Sequence, residues 1–229
     1  MGLLEGKVAI VTGAGGGLGR AHALLLAEHG ACVVVNDLGG ARDGTGSSNS
    51  MADSVVEEIR NAGGQAAATY GSVTEDDAAK AMVQCAVDNF GRLDILINNA
   101  GILRDRSFKN MTDAEWDAVI EVHLRGAYLV TKHSWQQMLT QGDGGRIIMT
   151  SSTSGLIGNF GQANYGAAKA GLAGFMRVLA LEGIKYGITV NVLAPAALSR
   201  MTEDLMPESE ETAVRMAPEK VSPTVAWLC

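Results

Sequence analysis

Short β-branched runs alternate with longer stretches of helical periodicity along the whole chain, and few folds accept that order. Lys7–Val11 (KVAIV), Cys32–Val35, Gln65–Tyr70, Leu93–Ile97, Arg146–Thr150 and Ile188–Leu193 read as six strands. Helical spacing fills Leu18–Gly30, Met51–Asn61, Thr74–Phe90, Thr112 to about Leu139, and Tyr165–Tyr186, with a last short helix at Ser222–Leu228. Gly30 and the pair Gly63-Gly64 stop their helices. Thr112-x-x-Glu115 forms a capping box, and Thr74 with Asp77 predicts a cap for the third helix. Strand–helix alternation implies parallel strands joined by right-handed crossovers. The expectation is α/β, a single doubly wound parallel sheet, with residues 1–229 forming one domain.

Such a sheet binds its ligand beyond the C-terminal ends of its strands, near the point where strand order reverses. The loops expected there are 12–19, 36–50, 72–73, 98–107, 151–164 and 194–206. Much of the glycine falls in a few such loops: Gly is 29 of 229 residues, against a usual ~7%. Thr12-Gly13-Ala14-Gly15-Gly16-Gly17-Leu18-Gly19 links the first strand to the first helix. Glycines there let a backbone approach a pyrophosphate, and the helix N-terminus offers free N–H groups and positive dipole. Asp37, eighteen residues past Gly19, ends the second strand. A carboxylate there bonds adenosine ribose hydroxyls and repels a 2′-phosphate, which favours NAD over NADP. Arg42 in the following loop bears against that preference.

Tyr165 and Lys169 stand four apart on one helix and share a face. Ser152 precedes them at the end of the fifth strand. A phenol with an ordinary pKa of ~10 needs help near neutrality. The expectation is that the Lys169 ammonium lowers it while Ser152 holds a substrate oxygen.

Thr12–Gly19 (TGxxxGxG), Asn98–Gly101 (NNAG) and Ser152 with Tyr165-x-x-x-Lys169 together resemble the short-chain dehydrogenase/reductase family, over Lys7 to about Thr202. That resemblance implies a Rossmann-type domain, usually dimeric or tetrameric, with NAD as cofactor. It places Gly13, Gly15, Gly16, Gly17, Leu18, Gly19, Asp37, Ser72, Val73, Asn99, Ala100, Gly101, Tyr165, Lys169, Pro195, Ala197 and Ser199 at the dinucleotide. It makes Tyr165 the acid/base, Lys169 its tuner and a ribose ligand, and Ser152 the group that orients the substrate. Longer phrases at Val34–Gly40, Asn99–Phe108, His123–Gly126, Ile147–Ser152 and Gly158–Tyr165 are similar to one subgroup, the (3R)-hydroxyacyl-CoA dehydrogenase domains of peroxisomal multifunctional enzymes. The implied reaction is oxidation of 3-hydroxyacyl-CoA to 3-oxoacyl-CoA, with hydroxysteroids as further substrates. The alternatives are an NADPH-dependent 3-oxoacyl reductase and a non-catalytic dinucleotide sensor.

Some positions depart from the family pattern. His123 stands where the wider family has Asn; it either shares a proton relay or packs. Pro195-Ala196 replaces Pro-Gly, and Ser72 replaces the Asp expected beside adenine. The family closes its sheet with a seventh strand; none follows Cys229, and the expectation is a chain truncated at its C-terminus. Met201–Met216, with five acids, takes the place of the substrate lid. Arg104, Arg106 and Lys109 are candidates for meeting coenzyme A phosphates.

Lys+Arg 18 against Asp+Glu 25 gives a net charge of −7, which argues against a nucleic-acid partner. Cys32, Cys85 and Cys229 make neither a CxxC pair nor a metal-ligand spacing, so no metal is expected. No apolar run approaches ~18 residues, and Met1–Val11 lacks a signal-peptide pattern. The expected protein is a soluble homodimer or homotetramer, cytoplasmic, or peroxisomal in a eukaryote, with a small-molecule partner.

Overall fold

The computed structural model describes residues 2–197 and 209–229. Six parallel strands form one sheet: β1 (Val8–Thr12), β2 (Cys32–Asn36), β3 (Gln65–Thr69), β4 (Ile95–Asn98), β5 (Gly145–Thr150) and β6 (Ile188–Leu193), in the order β3-β2-β1-β4-β5-β6. The helices are α1 (Gly17–Glu28), α2 (Ser50–Asn61), α3 (Asp76–Phe90), α4 (Asp113–Ile120), α5 (Gly126–Gln141), α6 (Thr153–Leu156), α7 (Ala163–Gly183), α8 (Glu210–Arg215) and α9 (Ser222–Leu228).

Successive side chains of a strand point to opposite faces, so both faces of this sheet must be apolar. Ala9, Val11, Val33, Val35, Ile95, Ile97 and Ile148 pack on one side with α1, α2 and α9 residues such as Leu26, Ile59 and Val225. Val8, Ile10, Val34, Leu96, Ile147 and Met149 pack on the other with Met82, Val130 and Leu172 of α3, α5 and α7. The sheet is therefore double-wound, as the alternation predicts.

Helix boundaries follow local chemistry with two exceptions. The Thr112 capping box is present: its side chain accepts from the Glu115 N–H, and the Glu115 carboxylate accepts from the Thr112 N–H. Thr74, expected to cap α3, does not; the N-cap is Glu75 without a side-chain bond, and the Thr74 hydroxyl pairs with Ser72 at 2.8 Å. The other exception is the long helix read from Thr112 to Leu139. A single π turn, Glu121–Arg125, interrupts it between α4 and α5. Such turns concentrate where a side chain must be re-aimed, and this one carries His123 into the interior, 2% exposed.

Between β1 and β4 the strand order reverses, and the connections leave toward opposite faces. Thr12 and Asn99 hold that gap together. Thr12 Oγ1 accepts the N–H groups of Asn99 (3.0 Å) and Ala100 (3.1 Å). Asn99 Nδ2 donates to Thr12 O (3.0 Å) and Gly13 O (3.1 Å). Gly13, at φ +62°, has no space for a side chain, because a Cβ would lie 2.8 Å from Ala100 Cα. Replacing Asn99 by Ala strands two carbonyls of the glycine loop. Its expected cost is about 1–2 kcal/mol of stability, read as a lower urea midpoint at unchanged slope; an unchanged midpoint contradicts the role given to this side chain.

Candidate active site

A cleft of about 690 Å³ opens at the switch point. Gly16, Gly17 and Leu18 line it on the α1 side. Gly16 is the N-cap of α1; no side chain caps that helix and its first turn carries no acid. The positive end of α1 thus faces the cavity without a side-chain cap of its own, a favourable place for phosphate oxygens. Gly13, also in the lining, completes this wall.

Asp37 lines the cleft at the end of β2. Its carboxylate is pinned by two backbone donors, Gly15 N–H at 2.7 Å and Gly39 N–H at 2.6 Å. Gly15 itself does not line the cavity; a Cβ there would lie 2.8 Å from that carboxylate, so its lack of a side chain makes room for Asp37. Gly19 is likewise outside the lining. A Cβ on it would sit 2.2 Å from Gly13 O, so it serves the packing of α1 against the loop. Ser72 and Val73 form the far wall, and Asn99, Ala100 and Gly101 the β4 wall. Pro195 and Ala197 follow β6 and do not contribute to the lining. Ser199 lies outside the described residues, as does the 201–208 part of the expected lid; the remainder, 209–216, contains the short α8.

The strap 38–48 spans the cleft. Its Arg42 O accepts Leu103 N–H at 3.0 Å, and its Asp43 O accepts Arg104 Nε at 3.0 Å. Arg104 is therefore spent partly on the strap, and Arg106 on Glu115 at 3.0 Å. Lys109 stays exposed in a 3-10 turn, Phe108–Asn110.

Ser152, Tyr165, Lys169 and His123 meet beside this cleft. Ser152 caps α6, accepting Ser154 N–H at 3.2 Å, and its hydroxyl lies near enough to the Tyr165 phenol to favour the ionised form. Lys169 is 3% exposed and donates to Thr150 O at 2.5 Å; its Nζ stands 5.4 Å from the Tyr165 ring centre. The His123 ring meets Tyr165 edge-on at 5.1 Å. Its Nε2 is taken by the Ile102 backbone, with N at 3.0 Å and O at 2.8 Å, and its Nδ1 is buried without a partner. A void of about 10 Å³, bordered by His123, Lys169, Thr12 and Asn98, has room for one water.

The electrostatics differ from the sequence expectation. Burial pushes the Tyr165 phenol up; the Ser152 hydroxyl pulls it back and the Asp105 charge adds to the rise. Burial also pushes the Lys169 amine down, to about 7. Burial, then the charge of Lys169, holds His123 at about 3, against a small upward pull from its Ile102 bond. His123 is thus a neutral ring at any ordinary pH and cannot serve as a cationic acid. The desolvation that sets these values depends on all surrounding elements, so spacing could not reveal it.

Three residues of this region escaped the sequence reading. Asn164, fully buried, fastens the first turn of α7; Gln162 donates to Asp105 at 2.7 Å; and Asp105 puts a carboxylate near the phenol. Only one signal pointed to Asn164, a polar residue on the helix face that carries Ala168 and Leu172 inward. Among the described residues no group of three His, Cys, Asp or Glu is arranged to hold a metal, and no helix is long and apolar enough to cross a membrane.

The depressed amine has a thermodynamic consequence. Its value of about 7 in the folded protein lies below the 10.5 of a free lysine. Between those pH values the unfolded chain binds more protons, so this residue makes stability rise with pH across the window. Below it, the amine is charged in both states and the full cost of burying charge stands. Lys169→Met removes that cost. Its melting temperature relative to the unsubstituted protein should be most favourable near pH 6 and lose that advantage toward pH 10; an offset independent of pH contradicts the buried-amine account.

Comparison with known proteins accords with this geometry. The family model for short chain dehydrogenase matches residues 7–212. Peroxisomal multifunctional enzyme type 2 of Mus musculus is 55% identical over 225 residues, 98% of this chain and 30% of that protein. Hydroxyacyl-CoA dehydrogenase ChsB1 of Mycobacterium tuberculosis is 45% identical over 209 residues, 88% of this chain and 64% of that one. The crystal structure of a short chain dehydrogenase from Mycobacterium avium superposes with a TM-score of 0.86 at 51% identity, covering 99% of this chain and 78% of that one. The chain thus spans less than a third of the mouse enzyme and about four fifths of the M. avium protein. With six parallel strands, a glycine-walled cleft and the Ser152–Tyr165–Lys169 cluster beside it, the chain belongs to the short-chain dehydrogenase/reductase family of oxidoreductases.

Proposed function

We propose that this oxidoreductase interconverts a secondary alcohol and a ketone with NAD, and that its substrate pair is 3-hydroxyacyl-CoA and 3-oxoacyl-CoA. The observation that carries the reading is Tyr165, with the Lys169 amine 5.4 Å from its ring and His123 edge-on to it, His123 packing on Gly101 of the cleft that also holds the pinned Asp37. A dinucleotide fits the residues present: a helix N-terminus for its phosphates, and a carboxylate for its adenosine ribose. Gly13, Gly16, Gly17, Leu18, Asp37, Ser72, Val73, Asn99, Ala100 and Gly101 would hold it, with Tyr165 and Lys169 at the reacting end. When bound, the nicotinamide supplies the hydride acceptor or donor. Asp37, with both oxygens already on backbone donors, is a fixed negative charge and favours NAD over a 2′-phosphorylated cofactor.

Tyr165 then takes the proton of the alcohol in oxidation and returns it to the ketone in reduction. Ser152 holds the substrate oxygen. Lys169, 5.4 Å from the Tyr165 ring, adjusts the phenol's proton affinity, and the void between it and His123 has room for one water beside the amine. His123 acts mainly through Ile102, fixing the loop that carries the β4 wall of the cleft.

The acyl-CoA assignment draws support from the names of the two relatives above and from the surface around Tyr165. Phe108, Leu156, Ile157 and Phe160 are exposed in the segments 104–110 and 153–161, which Arg106 N–H joins to Gly161 O at 2.8 Å. That apolar rim suits a hydrocarbon chain better than a small polar alcohol. A homodimer or homotetramer is part of the same proposal. Ala167, Ala170, Val178 and Leu181 make an exposed apolar stripe along α7, widened by Ile184 and Tyr128.

Tyr165→Phe should lower turnover by about a thousandfold or more while NAD still binds, followed by NADH absorbance and fluorescence quenching; near-normal turnover removes the mechanism. Asp37→Ala should narrow the ratio of kcat/KM for NAD over NADP. Leu181→Lys should shift the sedimentation of the protein toward monomer; no shift rejects the α7 interface.

A further inference from the structure

The segment 104–106 is stitched to the start of α7 residue by residue. Arg106 N–H donates to Gly161 O at 2.8 Å, Asp105 Oδ2 accepts from Gln162 Nε2 at 2.7 Å, and Arg104 O accepts from Asn164 Nδ2 at 3.1 Å. Asn164 does more than join two strands of chain. The same Nδ2 also donates to Glu115 O in α4 at 3.0 Å, and its Oδ1 accepts the N–H of Tyr165 at 2.7 Å. One carboxamide, with no exposed surface, therefore ties three elements to the backbone of Tyr165. Gln162 is 6% exposed, and its Oε1 accepts from Ser154 at 2.7 Å and from Asn159 at 3.2 Å. It thereby links Asp105 to the turn that Ser152 caps.

We propose that Asn164 and Gln162 are positioning residues of the reaction: together they clasp the 104–106 segment and the Ser152 turn against the first turn of α7, and so fix where the Tyr165 phenol stands relative to Ser152 and to Asp105. The proposal rests on the reading of Tyr165 as the acid/base. Physical reasons favour a role beyond folding. The carboxamide of Asn164 is spent on the Tyr165 N–H, on Arg104 O and on Glu115 O. Neither residue lines the dinucleotide cleft. The clasp also sets the distance from phenol to the Asp105 carboxylate, a charge that holds the proton on Tyr165 and so opposes its ionisation. Loosening it changes both alignment and proton affinity, whereas loss of general packing changes neither selectively.

The test compares Asn164→Ala, Gln162→Met and Tyr165→Phe with the unsubstituted enzyme, using NAD and a (3R)-hydroxyacyl-CoA. Misplacement of a reacting group by about 1 Å costs about a hundredfold in rate, so Asn164→Ala should lose ten- to a hundredfold in kcat and Gln162→Met a smaller part of that, about five- to twentyfold. The dissociation constant for NAD should stay within about twofold in both. The pH at which oxidation reaches half its maximal kcat should move in both variants. Where Asn164→Ala does not fold, by circular dichroism and gel filtration, Gln162→Met decides alone. Folded variants with kcat within about threefold of the parent and an unmoved pH profile overturn the proposal, as does a loss of NAD affinity equal to the loss in kcat. Tyr165→Phe separates the two levels: if it retains turnover, the acid/base reading fails; if it is inactive while the clasp variants behave like the parent, only the clasp fails.

Discussion

Thr12 and Asn99 exchange hydrogen bonds at the one place where the sheet pulls apart, and the rest of the site is arranged around that exchange. β1 and β4 are neighbours in the sheet, yet their following loops turn to opposite faces. A gap must open between them, and any ligand that spans both loops lies in it. The backbone groups at the gap would otherwise be half-desolvated and unpaired, an expensive condition. Two short polar side chains satisfy them and leave the glycine loop close enough to β4 that Gly13 has no space for a Cβ. The cleft is consequently a product of the fold's topology, held to size by a handful of bonds.

Burial acts on the catalytic cluster as a single force with three effects. It raises the phenol, lowers the amine and lowers the imidazole. All three shifts favour uncharged forms, as desolvation requires. Tyr165 and Lys169 are thus two groups pushed toward their neutral forms by the same burial. His123, neutral and bound to the Ile102 backbone, contributes shape and a hydrogen bond, with an unpaired nitrogen at its other end.

Much of this architecture was legible in the order of residues. The apolar runs named all six strands because a strand buried on both faces has no polar positions to spare, and Val33, Val34 and Val35 show it most plainly. The capping box at Thr112 held because its partners lie three residues apart, while Thr74, with the same local pattern, lost its hydroxyl to Ser72. The glycine loop and Asp37 were readable as a binding wall, but the division of labour among them was not. Gly15 and Gly19 make room for Asp37 and for α1 packing, which only the neighbours' positions reveal. The π turn at Glu121–Arg125 is not read from the periodicity, which gives one helix from Thr112 to about Leu139.

By itself the sequence determined the strand–helix alternation, the strand faces, and the placement of Tyr165 and Lys169 on one side of a helix. These follow from periods of two and 3.6 residues, which the backbone imposes locally. Only the tertiary structure decided that the strap 38–48 reaches Leu103 and Arg104, that His123 holds Ile102, that Asn164 gathers Arg104, Glu115 and Tyr165, and that Lys169 loses most of its preference for a proton. The contacts between elements close loops of about twenty to sixty residues, and the pKa shifts integrate the polarity of everything nearby. Neither quantity is a property of any short stretch of chain; both come into being when the sheet is covered and water leaves.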